Sequence, residues 1–401
     1  MFITKKSTLS TLSAFLLYTA FARIFGLLRP EFVGAFDFED NLDEFIEFSD
    51  DYPRGISLFG PMALSWFFLQ DIPRACFEFE GEQRCYFSYI PDSCKDNFLD
   101  KPRPLVVDVH PLTGNPLLAA IVSGWKKIAE KECLVMMWPS GTSYSLKSGH
   151  WNIQGGLQSE DYGTEGGNNV TTASCCFNFR FDPTEGPDDP SFLKKAIDHL
   201  VDAVSKKDEF PVVVDESRIY MTGHSNGGIA VLAMAALYSD TIAAAAVFAG
   251  MLGTPFAENY SGVPIWMVHG TDDNNYPYEG IPTFFCPPGP GIIFKPTPNV
   301  GVWSMDQTVE YLSKQNQCSG KNVTRTTGGN ITRFVECEQG ASVELLTLDG
   351  VGHRPYNFPI IGQTKLPTTQ MAWEFLNSHS KSATTDSGAD SGAKPSTGSE
   401  L

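Results

Sequence analysis

The stretch that decides the fold is Arg218-Ile-Tyr-Met-Thr-Gly-His-Ser-Asn-Gly-Gly228, followed by the small-residue run Ile229-Ala-Val-Leu-Ala-Met-Ala-Ala-Leu237. The first five residues predict a strand, the last run predicts a helix, and the glycine-rich part between them predicts a sharp turn. A Gly-x-Ser-x-Gly turn in this context is typical of a nucleophile elbow, in which the serine backbone is strained and its hydroxyl is exposed. We therefore expect Ser225 to be a nucleophile at a helix N-terminus, whose dipole stabilises a developing oxyanion.

Apolar strand-like runs and helical patterns alternate along the rest of the chain. Two segments at 76–79 and 84–90 predict an antiparallel hairpin. Further strands are predicted at 105–109, 133–138, 243–248, 264–268 and 343–348, and helices at 116–130, 191–204, 305–315 and 368–378. Strands that alternate with helices predict an α/β fold with a mostly parallel, doubly wound sheet. The regular pattern gives one catalytic domain at 76–378 and a disordered tail at 379–401.

Composition narrows the class of partner. The chain has 401 residues, of which 42% are hydrophobic, so it can bury one large core. Its formal net charge of −18 argues against nucleic acid and other polyanions as partners, because binding them requires cationic patches. A neutral substrate is the better match.

The N-terminal part has the features of a secretory signal peptide at 1–28. Two lysines precede a short apolar run, and Ala20-Phe-Ala22 offers a small-residue cleavage site. The run is interrupted by polar residues, so we expect no stable membrane anchor and a secreted, extracellular protein. The segment 29–75 is acidic and aromatic, and it is either a propeptide or a strap across the domain.

Cysteines and glycosylation motifs also favour export. The nine cysteines suit disulfides in an oxidising compartment, and their odd number leaves at least one thiol outside intramolecular pairs. No paired Cys-x-x-Cys spacing supports a metal site, and we expect neither a metal ion nor another cofactor. Asn-x-Ser/Thr motifs in loop-like stretches predict glycosylation at Asn169, Asn259, Asn322 and Asn330.

A serine nucleophile needs a histidine base and an acid that orients it, and in α/β-hydrolases the chain order is Ser, acid, His. His353 follows the strand at 343–348 in a glycine-rich turn, and we expect it to be the base. Asp272 and Asp273 follow the strand at 264–268, and only one of them can face His353. Asp349 is a further candidate acid, but we expect it to bond the backbone of its own turn.

The other histidines have different expected roles. His269 is expected to order the turn after its strand, His224 to point away from Ser225, and His110 to begin the turn after the strand at 105–109. The remaining three lack supporting context and are interpreted as surface residues: His150, His199 and His379.

The oxyanion hole is expected to combine two backbone amides. One is the N–H of Asn226, and the other comes from the loop that follows Val109. Pro111 has no N–H, so Leu112 or Thr113 must supply the second hydrogen bond. Loss of one such donor typically lowers the rate about 100- to 1000-fold.

Several motifs together resemble those of secreted esterases of the polyhydroxybutyrate depolymerase and feruloyl esterase type, within the α/β-hydrolases. The motifs are Gly81-Glu-Gln-Arg-Cys-Tyr86, Pro104-Leu-Val-Val-Asp-Val-His110, Cys175-Cys176, the 223–228 turn, His269-Gly-Thr-Asp-Asp273 with Pro277-Tyr278, and Gly350-Val-Gly-His353. The resemblance covers residues 76–378. It implies that Asp273 is the acid and that Cys318 and Cys337 form a disulfide.

The chain departs from this family at two places. His110-Pro111 stands where the family has His-Gly, and residues 153–174 separate Trp151-Asn152 from the Cys-Cys pair that the family places nearby. Trp151 and the insertion at 144–170 are candidates for one wall of a substrate pocket. The Pro-rich loop at 279–303 is either a roof over that pocket or a rigid surface connection.

Three functions are compatible with these residues. The first is a secreted serine carboxylesterase that acts on feruloyl or acetyl esters of polysaccharides or on polyhydroxyalkanoate-type polyesters, the substrate being a neutral and possibly polymeric ester. The second is a non-catalytic secreted binding protein on the same fold, which the replacement of His-Gly by His110-Pro111 keeps open. The third is a serine peptidase, although no amine-recognising acidic pocket or gating domain is evident in the sequence.

Overall fold

A computed structural model describes the regular part of the chain, residues 72–94, 101–112, 114–143, 149–153, 187–205, 212–252, 256–280, 303–357 and 362–381. The predicted signal peptide, most of the acidic segment and most of the C-terminal tail lie outside these residues. The same is true of Thr113, Asn169 and the greater part of the 279–303 loop.

One ten-stranded sheet forms the centre of the described fold, with the strand order β1-β2-β4-β3-β7-β8-β9-β12-β11-β10. Its strands are β1 Arg74–Phe79, β2 Glu82–Tyr89, β3 Arg103–Val109, β4 Val135–Pro139, β7 Val214–His224, β8 Ala244–Phe248, β9 Ile265–Gly270, β10 Gly320–Thr326, β11 Gly329–Val335 and β12 Val343–Leu348. The strands from β4 to β12 in this order are parallel, and an antiparallel pair lies at each end. The expected mostly parallel sheet with an N-terminal hairpin is therefore confirmed.

A short second pairing and six helices complete the described residues. β5 Thr142–Ser143 pairs with β6 Gly149–His150. The helices are α1 Pro116–Val122, α2 Trp125–Glu132, α3 Asp189–Ser205, α4 Asn226–Leu237, α5 Met305–Gln315 and α6 Thr368–Asn377. The single helix predicted at 116–130 is two helices, because Gly124 has a φ of 79° and breaks the first one.

Local sequence explains where these helices begin. The Asn115 side chain accepts a hydrogen bond from the Leu118 amide at 2.8 Å, and Pro116 occupies the first helical position of α1. Ser304 and Gln307 form a reciprocal capping box at the start of α5. Both signals use residues next to each other in the chain, which is why sequence patterns predicted these starts within a residue or two.

Two apolar layers cover the two faces of the sheet. On one face α3, α4 and α5 pack with side chains such as Phe192, Met221 and Leu345. On the other face α1, α2 and α6 pack with side chains such as Tyr220 and Trp373. Neighbours on a strand point to opposite faces, so Tyr220 and Met221 enter different layers. Helix α4 lies against the middle of the sheet and is buried along almost its whole length, which explains its all-round apolar sequence.

Within the described residues, three cysteine pairs have sulfur atoms at disulfide distance. The S–S distances are 2.14 Å for Cys76–Cys85, 2.17 Å for Cys94–Cys133 and 2.01 Å for Cys318–Cys337. The last is the pair implied by the family resemblance. Cys175, Cys176 and Cys286 lie outside the described residues. Among the described helices, none combines the length and apolar character required to cross a bilayer.

The predicted glycosylation motifs do not all lie in loops. Asn259 is exposed in a turn, but Asn322 lies on β10 and Asn330 on β11. The antiparallel hairpin that these strands form was not predicted, because its polar, charged sequence lacks a strong alternation. Since β10 is an edge strand, Asn322 is nevertheless exposed.

Candidate active site

The turn between β7 and α4 holds Ser225 in a strained backbone conformation. Its φ is 57° and its ψ is −122°, a combination that non-glycine residues rarely adopt. The neighbouring glycines are required by close backbone contacts. A Cβ atom on Gly223 would lie 2.6 Å from the Gly227 oxygen, and one on Gly227 would lie 2.1 Å from the Val109 oxygen. The strand, the turn and the helix predicted from the sequence are all present.

A chain of hydrogen bonds joins Ser225, His353 and Asp273, which come from three separate loops. The His353 Nε2 lies 2.8 Å from the Ser225 Oγ, and the His353 Nδ1 lies 2.8 Å from the Asp273 Oδ2. Because the carboxylate can only accept, Nδ1 carries the proton and Nε2 is free to accept the serine hydroxyl proton. The three residues predicted to act together are therefore brought together in this order, at the carboxyl edge of the sheet.

Asp273 is buried, with an exposed fraction of 3%, and is held by four donors. Its Oδ1 accepts the amides of Asn275 at 2.8 Å and Tyr276 at 2.9 Å. Its Oδ2 faces His353 and also His269, whose Nε2 is 3.2 Å away. Burial raises the pKa of Asp273, but the hydrogen bonds from the two histidines outweigh it and hold that pKa well below its usual range. The carboxylate is thus ionised wherever the protein is folded near neutral pH.

The other candidate acids lie elsewhere. Asp272 is exposed and accepts a hydrogen bond from Thr271 at 3.3 Å. We expected Asp349 to bond the backbone of its own turn. Its carboxylate instead pairs with the Arg325 guanidinium at 2.6 Å. This difference arises because the unpredicted β10–β11 hairpin brings Arg325 beside the end of β12.

Two histidines, the buried His269 and the half-buried His224, support the site without contacting the serine hydroxyl. His269 donates from Nε2 to the Tyr276 carbonyl at 2.8 Å, so it orders the turn that carries Asp273, as predicted. His224 donates from Nε2 to the carbonyl of His353 at 2.6 Å. Burial lowers the pKa of His224 to about 3. It is therefore neutral, and its ring lies 5.0 Å from the His353 ring.

The histidines interpreted as surface residues have three different environments. His199 is exposed, in agreement with the prediction, and bonds the Tyr86 hydroxyl at 2.8 Å. His150 is instead 4% exposed, because the β5–β6 pairing places it inside the fold. His379 is partly buried, and its ring packs 4.6 Å from that of Phe375 at the end of α6. Neither environment was predicted, because the sequence analysis predicted no β5–β6 pairing and did not identify the contact of His379 with Phe375.

The second oxyanion donor was expected in the loop after β3, and it stays a prediction. Leu112 is half-buried in a turn closed by a 2.9 Å hydrogen bond from the Gly114 amide to the Pro111 carbonyl. The same carbonyl accepts the Nδ1–H of His110 at 2.8 Å. Thr113, the alternative donor, lies outside the described residues. Asn226 begins α4, and its N–H is among the first amides of the helix, which have no partner within it.

Trp151 and the side chain of Asn226 have roles that the sequence did not indicate. Trp151 was expected to line a pocket wall, but it is fully buried. Its indole donates to the His110 carbonyl at 2.8 Å, and its backbone pairs with the Asn226 side chain. The sequence analysis recognised Trp151-Asn152 as part of a family motif. The motif does not show which residues bond to Trp151. Within the described residues, no cluster of His, Cys, Asp or Glu is suited to hold a metal ion.

The arrangement as a whole is that of the α/β-hydrolase fold. The nucleophile elbow follows a central strand, the acid follows β9 and the histidine follows β12, in the chain order of that fold. No known protein-family profile matches the chain.

Several curated proteins are similar in sequence. The putative esterase NocK of Nocardia uniformis subsp. tsuyamanensis is 28% identical over 49% of this chain and 60% of its own length. The bifunctional acetylxylan esterase/xylanase XynS20E of Neocallimastix patriciarum is 22% identical over 74% of this chain and 34% of its own. Feruloyl esterase B of Piromyces equi is 24% identical over 70% of this chain and 43% of its own. The chain therefore spans between a third and three-fifths of these relatives.

One similar solved structure is an acetyl xylan esterase from Aspergillus awamori. It has a TM-score of 0.45 and 16% identity, over 76% of this chain and 99% of that one.

The curated relatives above are named as esterases, in agreement with the esterase part of the resemblance. The polyhydroxybutyrate depolymerase part stays a prediction.

Proposed function

We propose that this chain is a secreted serine carboxylic ester hydrolase. The observation that carries the proposal is the continuous hydrogen-bonded path from the Ser225 hydroxyl through His353 to the ionised Asp273. The sequence similarity to esterases supports the same reaction class. The three cysteine pairs at disulfide distance, together with the predicted signal peptide, support secretion.

The proposed first step is acylation of Ser225. The His353 Nε2 takes the hydroxyl proton while the Ser225 Oγ attacks the ester carbonyl carbon. The carbonyl π electrons move to oxygen, which accepts hydrogen bonds from the Asn226 amide and from the amide of Leu112 or Thr113. The imidazolium then gives its proton to the leaving alcohol, and the C–O bond to that alcohol breaks.

Deacylation repeats these steps with water. His353 takes a proton from the water, whose oxygen attacks the acyl carbon, and Ser225 leaves with that proton. In both halves the positive charge on His353 is stabilised by Asp273. A charged His224 at 5.0 Å would oppose it by about 3 kcal/mol at an effective dielectric constant near 20, so the neutral state of His224 assists the reaction.

The substrates we propose are feruloyl or acetyl esters of plant polysaccharides. XynS20E and feruloyl esterase B are named for such esters, and both align over more than two-thirds of this chain. The formal net charge of −18 favours a neutral polymer over a polyanion. A polyhydroxyalkanoate-type polyester has the same reacting group and belongs in the same screen. Methyl ferulate, acetylated xylan and a polyhydroxybutyrate film, assayed side by side, rank the three classes.

Replacing the nucleophile tests the reaction class. Ser225→Ala is expected to lower the kcat for a nitrophenyl acetate by at least about 1000-fold, because no other group forms the acyl-enzyme. The melting temperature should fall little or not at all. Ser313→Ala is the matched control, since Ser313 is a buried serine, 5% exposed, whose hydroxyl donates to the Glu310 carbonyl within α5. It should retain full activity.

Labelling by a fluorophosphonate provides an independent readout. The wild-type protein should be labelled at Ser225 and the Ser225→Ala variant should not be. Full activity in Ser225→Ala would contradict the proposal, and a folded wild-type protein that is neither labelled nor active would favour a binding function. A matched ester and amide pair distinguishes an esterase from a peptidase.

A further inference from the structure

Trp151 connects the two halves of the proposed oxyanion hole. Its indole Nε1–H donates to the carbonyl of His110, at the end of β3, with a distance of 2.8 Å. Its backbone N–H donates to the Asn226 Oδ1 at 2.8 Å, and its carbonyl accepts the Asn226 Nδ2–H at 3.2 Å. One residue therefore bonds both to the strand that leads into the oxyanion loop and to the first residue of α4.

The Asn226 side-chain amide pairs with the Trp151 backbone through two hydrogen bonds, as one strand residue pairs with another in a sheet. Its amide donates to and accepts from the same backbone residue, and it is 0% exposed. Loss of either hydrogen bond would leave a buried polar atom without a partner, which would destabilise the folded protein. This pairing fixes the first turn of the helix, where the Asn226 N–H lies, against Trp151.

The other half of the connection runs through His110. The His110 ring lies 4.9 Å from the Trp151 ring, accepts the Gly141 amide at Nε2 at 3.0 Å and donates from Nδ1 to Pro111. Burial lowers the pKa of His110 to about 4, so this donor and acceptor pattern does not change near neutral pH. The turn that carries Leu112 is thereby fixed to the same indole.

Trp151 is itself held by the residue that follows it. The amide of Asn152 donates to the Asp189 Oδ2 at 2.5 Å, and its side chain donates to the Pro187 carbonyl at 2.9 Å. The Asp189 Oδ1 is bonded by Arg84 at 2.6 Å. The segment that carries Trp151 is therefore anchored to β2 and α3, outside the site.

We propose that Trp151 is a positioning residue that sets the separation of the two oxyanion donors, the Asn226 amide and the amide of Leu112 or Thr113. The inference rests on the proposed esterase function. Oxyanion donors act only when they lie about 2.7–3.1 Å from the oxygen of the tetrahedral state, so a small displacement of one half lowers the rate. Positioning of this kind stabilises the transition state more than the bound ester, and its loss appears in kcat rather than in KM.

Trp151→Phe removes the indole donor and keeps an aromatic ring beside His110. We expect kcat for a nitrophenyl acetate to fall about 10- to 100-fold, a part of the loss that removal of a whole donor causes, with KM changed by less than about threefold. Affinity for a trifluoromethyl ketone should fall by the same factor as kcat/KM. Its adduct with Ser225 places an oxyanion in the hole, and a merely structural role would not weaken that adduct selectively.

Tyr220→Phe is the matched control. Tyr220 is also 0% exposed, and its hydroxyl donates to the His379 carbonyl at 2.6 Å, beyond the end of α6 and outside the connections of Trp151. The variant should lower the melting temperature, because a buried side chain loses its hydrogen bond. Its kcat and its affinity for the ketone should stay within about twofold of wild type.

A second variant keeps the test decisive if Trp151→Phe folds poorly. Asn226→Asp retains the shape of the side chain but replaces the donor to the Trp151 carbonyl with an oxygen, and it should reproduce the loss of kcat and of affinity for the ketone. Wild-type kcat and ketone affinity in the folded variants would overturn the inference, as would equal losses in Tyr220→Phe. A wild-type protein without esterase activity or labelling would instead reject the proposed function.

Discussion

At the residue scale, hydrogen bonding to Asp273 and burial of His110 and His224 fix the charges of these three groups around Ser225. The pKa of Asp273 is held low and those of His110 and His224 are lowered by burial, so their charges are constant near neutral pH. The His353 side chain is 16% exposed, whereas that of Asp273 is 0% exposed. In the proposed mechanism, the proton therefore moves on a residue that reaches solvent, within surroundings whose charges are fixed.

The neutral state of His110 predicts how stability depends on pH. Its pKa is about 4 in the folded protein and about 6.5 when unfolded, so the unfolded state binds the proton first as pH falls. The stability contributed by neutral His110 is complete above pH 6.5 and is lost as pH falls toward 4. The loss should reach about 3 kcal/mol over this range.

Urea unfolding at pH 7 and pH 4.5 measures this effect. The free energy of unfolding of the wild-type protein should fall more between these values than that of His110→Asn, which cannot be protonated at this position. Equal declines in the two proteins would show that His110 does not contribute.

At the element scale, the site depends on how closely α4 approaches β3. Gly227, in the first turn of α4, contacts the carbonyl oxygen of Val109 where β3 ends. A side chain there would push the nucleophile helix away from the strand that carries the oxyanion loop. The glycines of the turn are thus required by contact between two elements, in addition to the strained backbone of Ser225.

A graded set of glycine substitutions tests this contact. Gly227→Ala is expected to destabilise the protein by several kcal/mol and to lower kcat, because its Cβ would lie 2.1 Å from the Val109 oxygen. Gly228→Ala should destabilise the protein less, since the added Cβ would lie 3.1 Å from its nearest atoms. Gly81→Ala, with φ of 80° and no atom within 4 Å, should cost about 1 kcal/mol from backbone strain alone and leave kcat unchanged.

Thermal and urea unfolding, with kcat measured on each folded variant, give the order of the three effects. An effect of Gly81→Ala as large as that of Gly227→Ala would contradict an explanation by backbone contact.

At the scale of the whole molecule, one buried ion pair joins the N-terminal hairpin to the helical layer. Arg84 on β2 is 5% exposed and Asp189 at the start of α3 is 0% exposed, and their closest atoms are 2.6 Å apart. The guanidinium also lies 3.8 Å from the centre of the Phe192 ring. Burial raises the pKa of Asp189, and Arg84 opposes this shift. The pair holds the segment that carries Trp151, so it links the periphery of the fold to the site.

Removal of one partner should therefore be costly. Arg84→Met is expected to lower the free energy of unfolding by about 3–5 kcal/mol, because it leaves Asp189 buried without its counter-charge. The control is Arg325→Met, which breaks an exposed pair with Asp349 of the same 2.6 Å distance. Its expected cost is below about 1 kcal/mol. Urea unfolding at pH 7 compares them, and similar costs for the two variants would contradict a special role of the buried pair.

Much of the fold and the central residues of the site follow from sequence alone. Apolar runs and helical patterns are local signals, and they predicted most strands and helices to within a few residues. The elbow pattern and the chain order of nucleophile, acid and base singled out Ser225, Asp273 and His353, because each sits immediately after a strand whose carboxyl end reaches the same edge.

The remaining features depend on contacts between segments, which the pattern of a single segment does not reveal. The β10–β11 hairpin has a polar sequence without strong alternation, and the burial of His150 and the pairing of Asp349 with Arg325 each require another segment. Sequence singled out the groups that we propose carry the chemistry, since reactive side chains and turn residues are encoded one position at a time. Only the tertiary structure decided what holds them, because the partners of Trp151 are selected by packing and hydrogen bonding across 41 and 75 residues of chain.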